Sequence, residues 1–121
     1  MVNDEEDSPL SRNRLKSRRP SDQERERIRD DLIARVRVVQ QEGWADHHCT
    51  WSNRDVMAVA YLLGDTHVLR LSGVTGAAVL EYYACDLYGV NGGQQDIDDG
   101  LPLTRKWFLN THTALIESKH T

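Results

Sequence analysis

The stretch 51–89, WSNRDVMAVAYLLGDTHVLRLSGVTGAAVLEYYACDLYG, constrains the fold most: three apolar segments of helical pattern follow one another, each closed by a glycine. Ser52 is a strong N-cap, since its hydroxyl can accept from backbone N–H groups left unpaired in a first helical turn, and Asp55 three residues on completes a capping box. Val56, Val59, Ala60 and Leu63 then fall on one face, and Gly64 can take the left-handed conformation that stops a helix. Asp65 or Thr66 is placed to start a short helix through Val68 and Leu71 that stops at Gly73. Thr75 is placed to cap a third over 76–88 that stops at Gly89.

Upstream, Ser21 and Glu24 form a second capping box and open a long helix over 21–42, about six turns, ended by Gly43. Asp22, Glu24 and Glu26 lie near its positive end and Arg35 and Arg37 toward its negative end. Ile28, Leu32, Val36 and Val39 repeat at spacings of four and three, which gives a single apolar stripe. That stripe is expected to pack on the chain's own core, the alternative being a dimer or partner helix. A last helix is expected over 103–117, with Leu103, Trp107, Ala114 and Leu115 on its inner face and Phe108 beside them. The segment between, VNGGQQDIDDGLP, reads as a loop from its glycines and aspartates.

The first twenty residues differ in kind. Asp4, Glu5, Glu6 and Asp7 precede Arg12, Arg14, Lys16, Arg18 and Arg19, with few apolar residues among them. Such a segment buries too little surface to offset the entropy of ordering it, so residues 1–20 are expected to be a disordered polyampholyte arm and 21–121 a single helical domain. With 121 residues and 39% hydrophobic content, one core is the expectation. The longest apolar run, Val56 to Leu63, is too short to cross a bilayer, and the charged N-terminus lacks a signal-type apolar segment, so a cytoplasmic protein is expected. Cys49 and Cys85 read as free thiols.

Residues able to do chemistry do not fall at the spacings that chemistry requires. Asp46, His47, His48 and Cys49 are all metal-ligand types, but a structural zinc site takes ligand pairs from two places in the chain and the second pair is missing. Asp96, Asp98 and Asp99 precede Gly100, yet a calcium loop needs a glutamate six residues past its glycine, where Lys106 stands. A solvated acidic loop that helps start the next helix is the simpler expectation. Neither His112 nor His120 has a visible partner for acid–base work. No phosphate-binding loop, dinucleotide fingerprint, nucleophile elbow or metalloprotease helix is present. Neither an enzyme nor a cofactor or metal site is therefore expected.

Two resemblances bear on function. Residues 68–83, VLRLSGVTGAAVLEYY, resemble the helix-turn-helix of lactose-repressor-type regulators at Val68, Gly73, Val74, Thr75 and Val79. That resemblance implies a second helix, capped by Thr75, that approaches the DNA major groove. Its outward positions would be Gly76, Ala77, Leu80 and Glu81, none of which reads a base edge. From residue 44 onward five bases face nine acids, which repels a phosphate backbone. More widely, Trp51-Ser52, AVAYLLGD, Thr75 and Asp86-Leu87 look like a class of small accessory proteins of actinobacteria and their phages. This resemblance implies a small protein acting on host machinery.

The expected fold is all-α, a compact bundle of about five helices with a helix-turn-helix-like central unit behind the arm. The leading functional expectation is a protein–protein interaction module. Its partner is either another protein or a second copy, with no membrane contact. The alternative is a DNA-binding transcriptional regulator in which Arg12, Arg14, Lys16, Arg18 and Arg19 contact phosphates, helped by Arg54, Arg70 and Thr75.

Overall fold

Ser21 opens the first helix as its capping box requires. The Ser21 hydroxyl accepts from the Glu24 N–H at 3.1 Å, and the Glu24 carboxylate accepts from the Ser21 N–H at 3.2 Å. The structure, a computed structural model, describes residues 19–45 and 47–119. These form α1 (Asp22–Glu42), the single turn α2 (His47–Thr50), α3 (Asn53–Leu63), α4 (Thr66–Leu71), α5 (Gly76–Asp98) and α6 (Pro102–Lys119). There is no strand among the described residues, and the chain is all-α. No described helix is long and apolar enough to cross a membrane.

The starts and stops of the central helices follow local chemistry. Ser52 accepts from the Asp55 N–H, Asp65 from the Val68 N–H and Thr75 from the Ala78 N–H, all at 3.1–3.2 Å. Asp55 does not complete a box in return; its carboxylate instead lies 3.6 Å from Arg35 on α1. Gly64 ends α3 at φ 71°, ψ 26°, the left-handed conformation open to glycine at little cost.

Helix α3 is the axis of the fold. Helices α1, α4 and α5 and the α2 turn pack on it, and α6 closes over α5 and α1. Every residue from Val56 to Ala60 is buried, as is Leu62, so the helix is covered on all sides and not along one face. The α1 stripe joins the same core through Leu32, Val36 and Val39, with Ile28 at its edge. It is therefore core packing and not a free partner helix.

Three expectations need correction. The first concerns the segment after Gly89, where the helix begun at Thr75 stops as expected. Gly89, at φ 83° and ψ 170°, breaks α5 sharply, and the chain then resumes as helix over 90–98 where a loop was expected. The glycines that suggested a turn serve a close approach instead. A methyl group at Gly93 would come within 2.5 Å of the Cys85 Cα and 2.7 Å of the Ala84 carbonyl carbon, so the second segment lies directly on the backbone of the first. Arg25 supports the break from α1, donating to the Leu87 carbonyl at 3.0 Å and the Pro20 carbonyl at 2.7 Å.

The second correction concerns Asp96, expected in a solvated loop. It is only 2% exposed and accepts from the Leu103 N–H at 2.9 Å, the Thr104 N–H at 2.9 Å and the Thr104 hydroxyl at 2.5 Å. It caps α6 from the preceding helix. The third is the register of α6. Its inward positions are Thr104, Phe108, Thr111 and Leu115, while Leu103 is exposed and Trp107 and Ala114 are half-buried. Two threonines can face the core because their hydroxyls are satisfied, Thr104 by Asp96 and Thr111 by the Trp107 carbonyl at 2.9 Å. The outward face consequently receives Leu109 and Ile116.

Candidate functional site

The displaced register of α6 creates the most distinctive surface among the described residues. Leu109 is 63% exposed and Ile116, seven residues on, is 45% exposed; two helical turns apart, they share one face. Beside them an open groove of about 480 Å³ runs between α6 and the C-terminal end of α3. Its apolar lining comes from Tyr61, Leu62, Leu63, Phe108 and Leu109, and its polar rim from Arg105 and His112. The floor is rigid. Phe108 meets Tyr61, Tyr83 and Trp107 edge to face, with ring centres 5.2, 5.5 and 5.0 Å apart, which holds the ring in one orientation. Exposed apolar side chains beside a preformed apolar groove suit the docking of another apolar surface.

A second groove, of about 430 Å³, is edged by the charged side chains of Arg27, Asp31, Arg54, Asp55 and Asp86 and runs between α1, α3 and α5. Within it Arg54 meets Asp86 at 3.0 Å, Arg35 meets Asp31 at 2.9 Å and Asp55 at 3.6 Å, and the Tyr83 hydroxyl donates to the Arg54 carbonyl at 3.2 Å. Burial pushes the Tyr83 hydroxyl well above the ordinary phenol range, so it remains protonated and serves as a donor. Burial also raises Asp86, against the opposing pull of Arg54. The hydrogen bond from Arg35 to Asp31 holds the guanidinium even more firmly charged. Arg35 with Asp55 ties α1 to α3 and Arg54 with Asp86 ties α3 to α5, so the cluster acts as a brace between three helices.

A smaller apolar slot of about 310 Å³ lies under Leu71, lined by Trp44, Val56 and Val68. The Trp44 indole N–H donates to Asp65 at 2.9 Å. Leu71 itself is 73% exposed.

Among the described residues, those singled out in the sequence do not assemble into one site. Arg12, Arg14, Lys16 and Arg18 lie outside the described residues, as does Asp46. Arg19 packs on the domain, its guanidinium 5.2 Å from the Tyr88 ring centre with Arg25 at 5.0 Å. Arg54 is engaged with Asp86. Arg70 is exposed at the end of α4, and the Thr75 hydroxyl is used as the α5 cap. Leu80, expected on the outer face of α5, is buried, and Tyr82 is exposed beside Glu81.

Of the metal-ligand types of the 44–50 segment, only the side chains of His47 and Cys49 are described; Asp46 and the His48 side chain lie outside the described residues. His47 stacks on Trp51 with ring centres 4.7 Å apart and planes 13° from parallel, Arg35 covers the same Trp51 ring at 4.9 Å, and Cys49 is exposed. Among the described residues no three His, Cys, Asp or Glu side chains come together as a metal site would require. His112 lines the α6 groove and Asp86 the second groove.

The groove residues Tyr61 and Leu109 and the exposed Ile116 escaped the sequence reading, which places Leu63 on the apolar face of its helix. The signal that finds them is the inward pairing of Thr104 with Thr111, seven residues apart, which turns Leu109 and Ile116 outward. Comparisons with protein-family models, curated proteins and solved structures find no match to the chain.

Proposed function

We propose that this chain is a non-enzymatic accessory protein that works by binding another protein through the groove between α3 and α6. The observation that carries this reading is the exposure of Leu109 and Ile116 on one face, beside a groove floored by Tyr61 and Phe108. Leaving these two half-exposed aliphatic side chains in water forgoes on the order of 1 kcal/mol of burial each, which a docked partner recovers. The resemblance to small accessory proteins of actinobacteria and their phages supports a partner among host machinery. The long α1 helix is not the docking element, because its apolar stripe is already covered.

A photo-crosslinking residue at position 109 of the full chain tests the proposal, with one at Glu81 on the exposed face of α5 as the control. A discrete adduct that forms from 109 and is lost in an Ile116→Asp background supports the groove. Equal adducts from both positions, or none from 109, reject it.

The second reading is a DNA-binding regulator, and it draws on the exposed Arg70 ahead of the Thr75-capped helix together with the basic residues 12–19. Glu81 on the outer face of α5 and the net charge of −4 weigh against it. Duplex DNA titrated across a salt series separates the two readings. Binding that weakens steeply with salt and depends on Arg70 favours the regulator.

A further inference from the structure

We infer that the partner element received by α6 is an amphipathic helix with acidic residues flanking its apolar anchors. The inference rests on the groove being the interaction site and adds the chemistry of its occupant. Helix α6 stands apart in charge. The chain carries 19 acidic residues against 15 Lys and Arg, yet α6 (Pro102–Lys119) carries Arg105, Lys106 and Lys119 against a single acid, Glu117.

Among the described residues, Arg105 and Lys106 also lack the acidic partner that other arginines have. Arg25, Arg35 and Arg54 each meet an aspartate, whereas Arg105 donates through Nε to the Gly100 carbonyl at 3.0 Å and has no acidic partner among the described residues. Lys106 is exposed and has none there either. Arg105 and Lys106 lie about one turn before Leu109, and His112 lies between Leu109 and Ile116. A helix laid along this stripe buries one apolar residue against Leu109 and another, about 10 Å further, against Ile116, while its carboxylates reach Arg105 and Lys106.

Charge also decides between occupants. A two-fold pairing of α6 with α6 of a second copy would bring together two helices that each carry three Lys or Arg against the single acid Glu117, and an isologous interface must be self-complementary. A nucleic-acid backbone would satisfy the cations but leave Leu109 and Ile116 in water.

Two helical peptides with identical leucine spacing, one carrying glutamates at the flanking positions and the other lysines, are titrated into the isotope-labelled full chain. The amide resonances of α6 and residues 61–64 are followed by NMR. The expected result is saturable shifts with the glutamate peptide, weakened about tenfold by the Arg105→Glu/Lys106→Glu double variant and partly transferred to the lysine peptide. Leu109→Asp should abolish them while circular dichroism shows the helices intact. Equal binding of both peptides, or preference for the lysine peptide, overturns the acidic chemistry and leaves the groove standing. Absence of shifts at α6 with either peptide rejects both. Concentration-dependent α6 shifts in the chain alone that vanish in Leu109→Asp would falsify the inference in favour of a second copy.

Discussion

At the junction between α3 and α4 the chain turns within two residues. Gly64 takes φ 71° with open space around its missing side chain, and Asp65 caps the next helix while accepting from Trp44. Between α5 and α6 the same two roles are spread over a much longer stretch. Gly89 breaks the helix, Gly93 lets the returning segment lie on Cys85, and Asp96 caps α6 from seven and eight residues away. The stop and the cap of the first junction come from neighbours in sequence, with Trp44 the one contact from afar, whereas the second is built from contacts that exist only once the helices have packed. Substitutions at the second should therefore cost more, and should act through tertiary structure.

The largest effect is expected at Asp96. Asp96→Ala leaves the Leu103 N–H, the Thr104 N–H and the Thr104 hydroxyl without their acceptor in a buried place, a loss of about 4 kcal/mol. Urea denaturation followed by circular dichroism measures it. A loss under about 1 kcal/mol would make Asp96 an ordinary local cap.

Gly93→Ala comes next. The added methyl meets backbone on the opposing segment and cannot be relieved by a side-chain rotation, so the two halves of α5 must separate, at about 3 kcal/mol. Gly92 offers an internal control: its added methyl would touch only the Tyr88 Cβ at 3.4 Å, ordinary contact, and Gly92→Ala should be near neutral or stabilising by a few tenths of a kcal/mol. Equal losses at 92 and 93 would remove close approach as the explanation.

The same contrast separates what the sequence discloses from what it hides. Ser21, Ser52, Gly64 and Thr75 act on groups three or four residues away, so their roles can be read from order and spacing alone. The all-α fold, the α1 stripe and the central helix follow from such rules. Gly92 and Gly93 carry the composition of a turn, and only the proximity of Cys85 reveals that one of them is a packing glycine. Thr104 and Thr111 score as polar in any hydrophobic pattern, and their burial depends on Asp96 and the Trp107 carbonyl. Misplacing those two threonines rotates α6 by about one position, and that rotation conceals Leu109 and Ile116, the residues on which the proposed interaction depends.

At the local junction a smaller effect is expected from Gly64→Ala. No atom lies within 4 Å of the added methyl, so the cost is the left-handed backbone alone, about 1 kcal/mol. Gly64→Asn should recover part of it, because asparagine tolerates that conformation better. Thermal melts of the pair are sufficient, and no recovery would point to a packing role that the open space around Gly64 does not provide.

The smallest effect, and the one that depends on pH, belongs to Asp65. The hydrogen bond from the Trp44 indole, and after it that from the Val68 N–H, holds the Asp65 carboxyl below its ordinary value. A carboxyl depressed in the folded state adds stability above its unfolded pKa, near 3.9, and that contribution disappears as pH falls through the folded value. Asp65→Asn keeps an acceptor and a capable cap but removes the charge, so it should cost about 1 kcal/mol near neutral pH. The gap to the parent should narrow below about pH 4, as the parent's own carboxyl takes up its proton. Paired urea titrations at pH 7 and pH 3 check this. A gap that stays constant across that range would mean that Asp65 acts by shape, like a neutral cap, and that its charge contributes nothing to the turn.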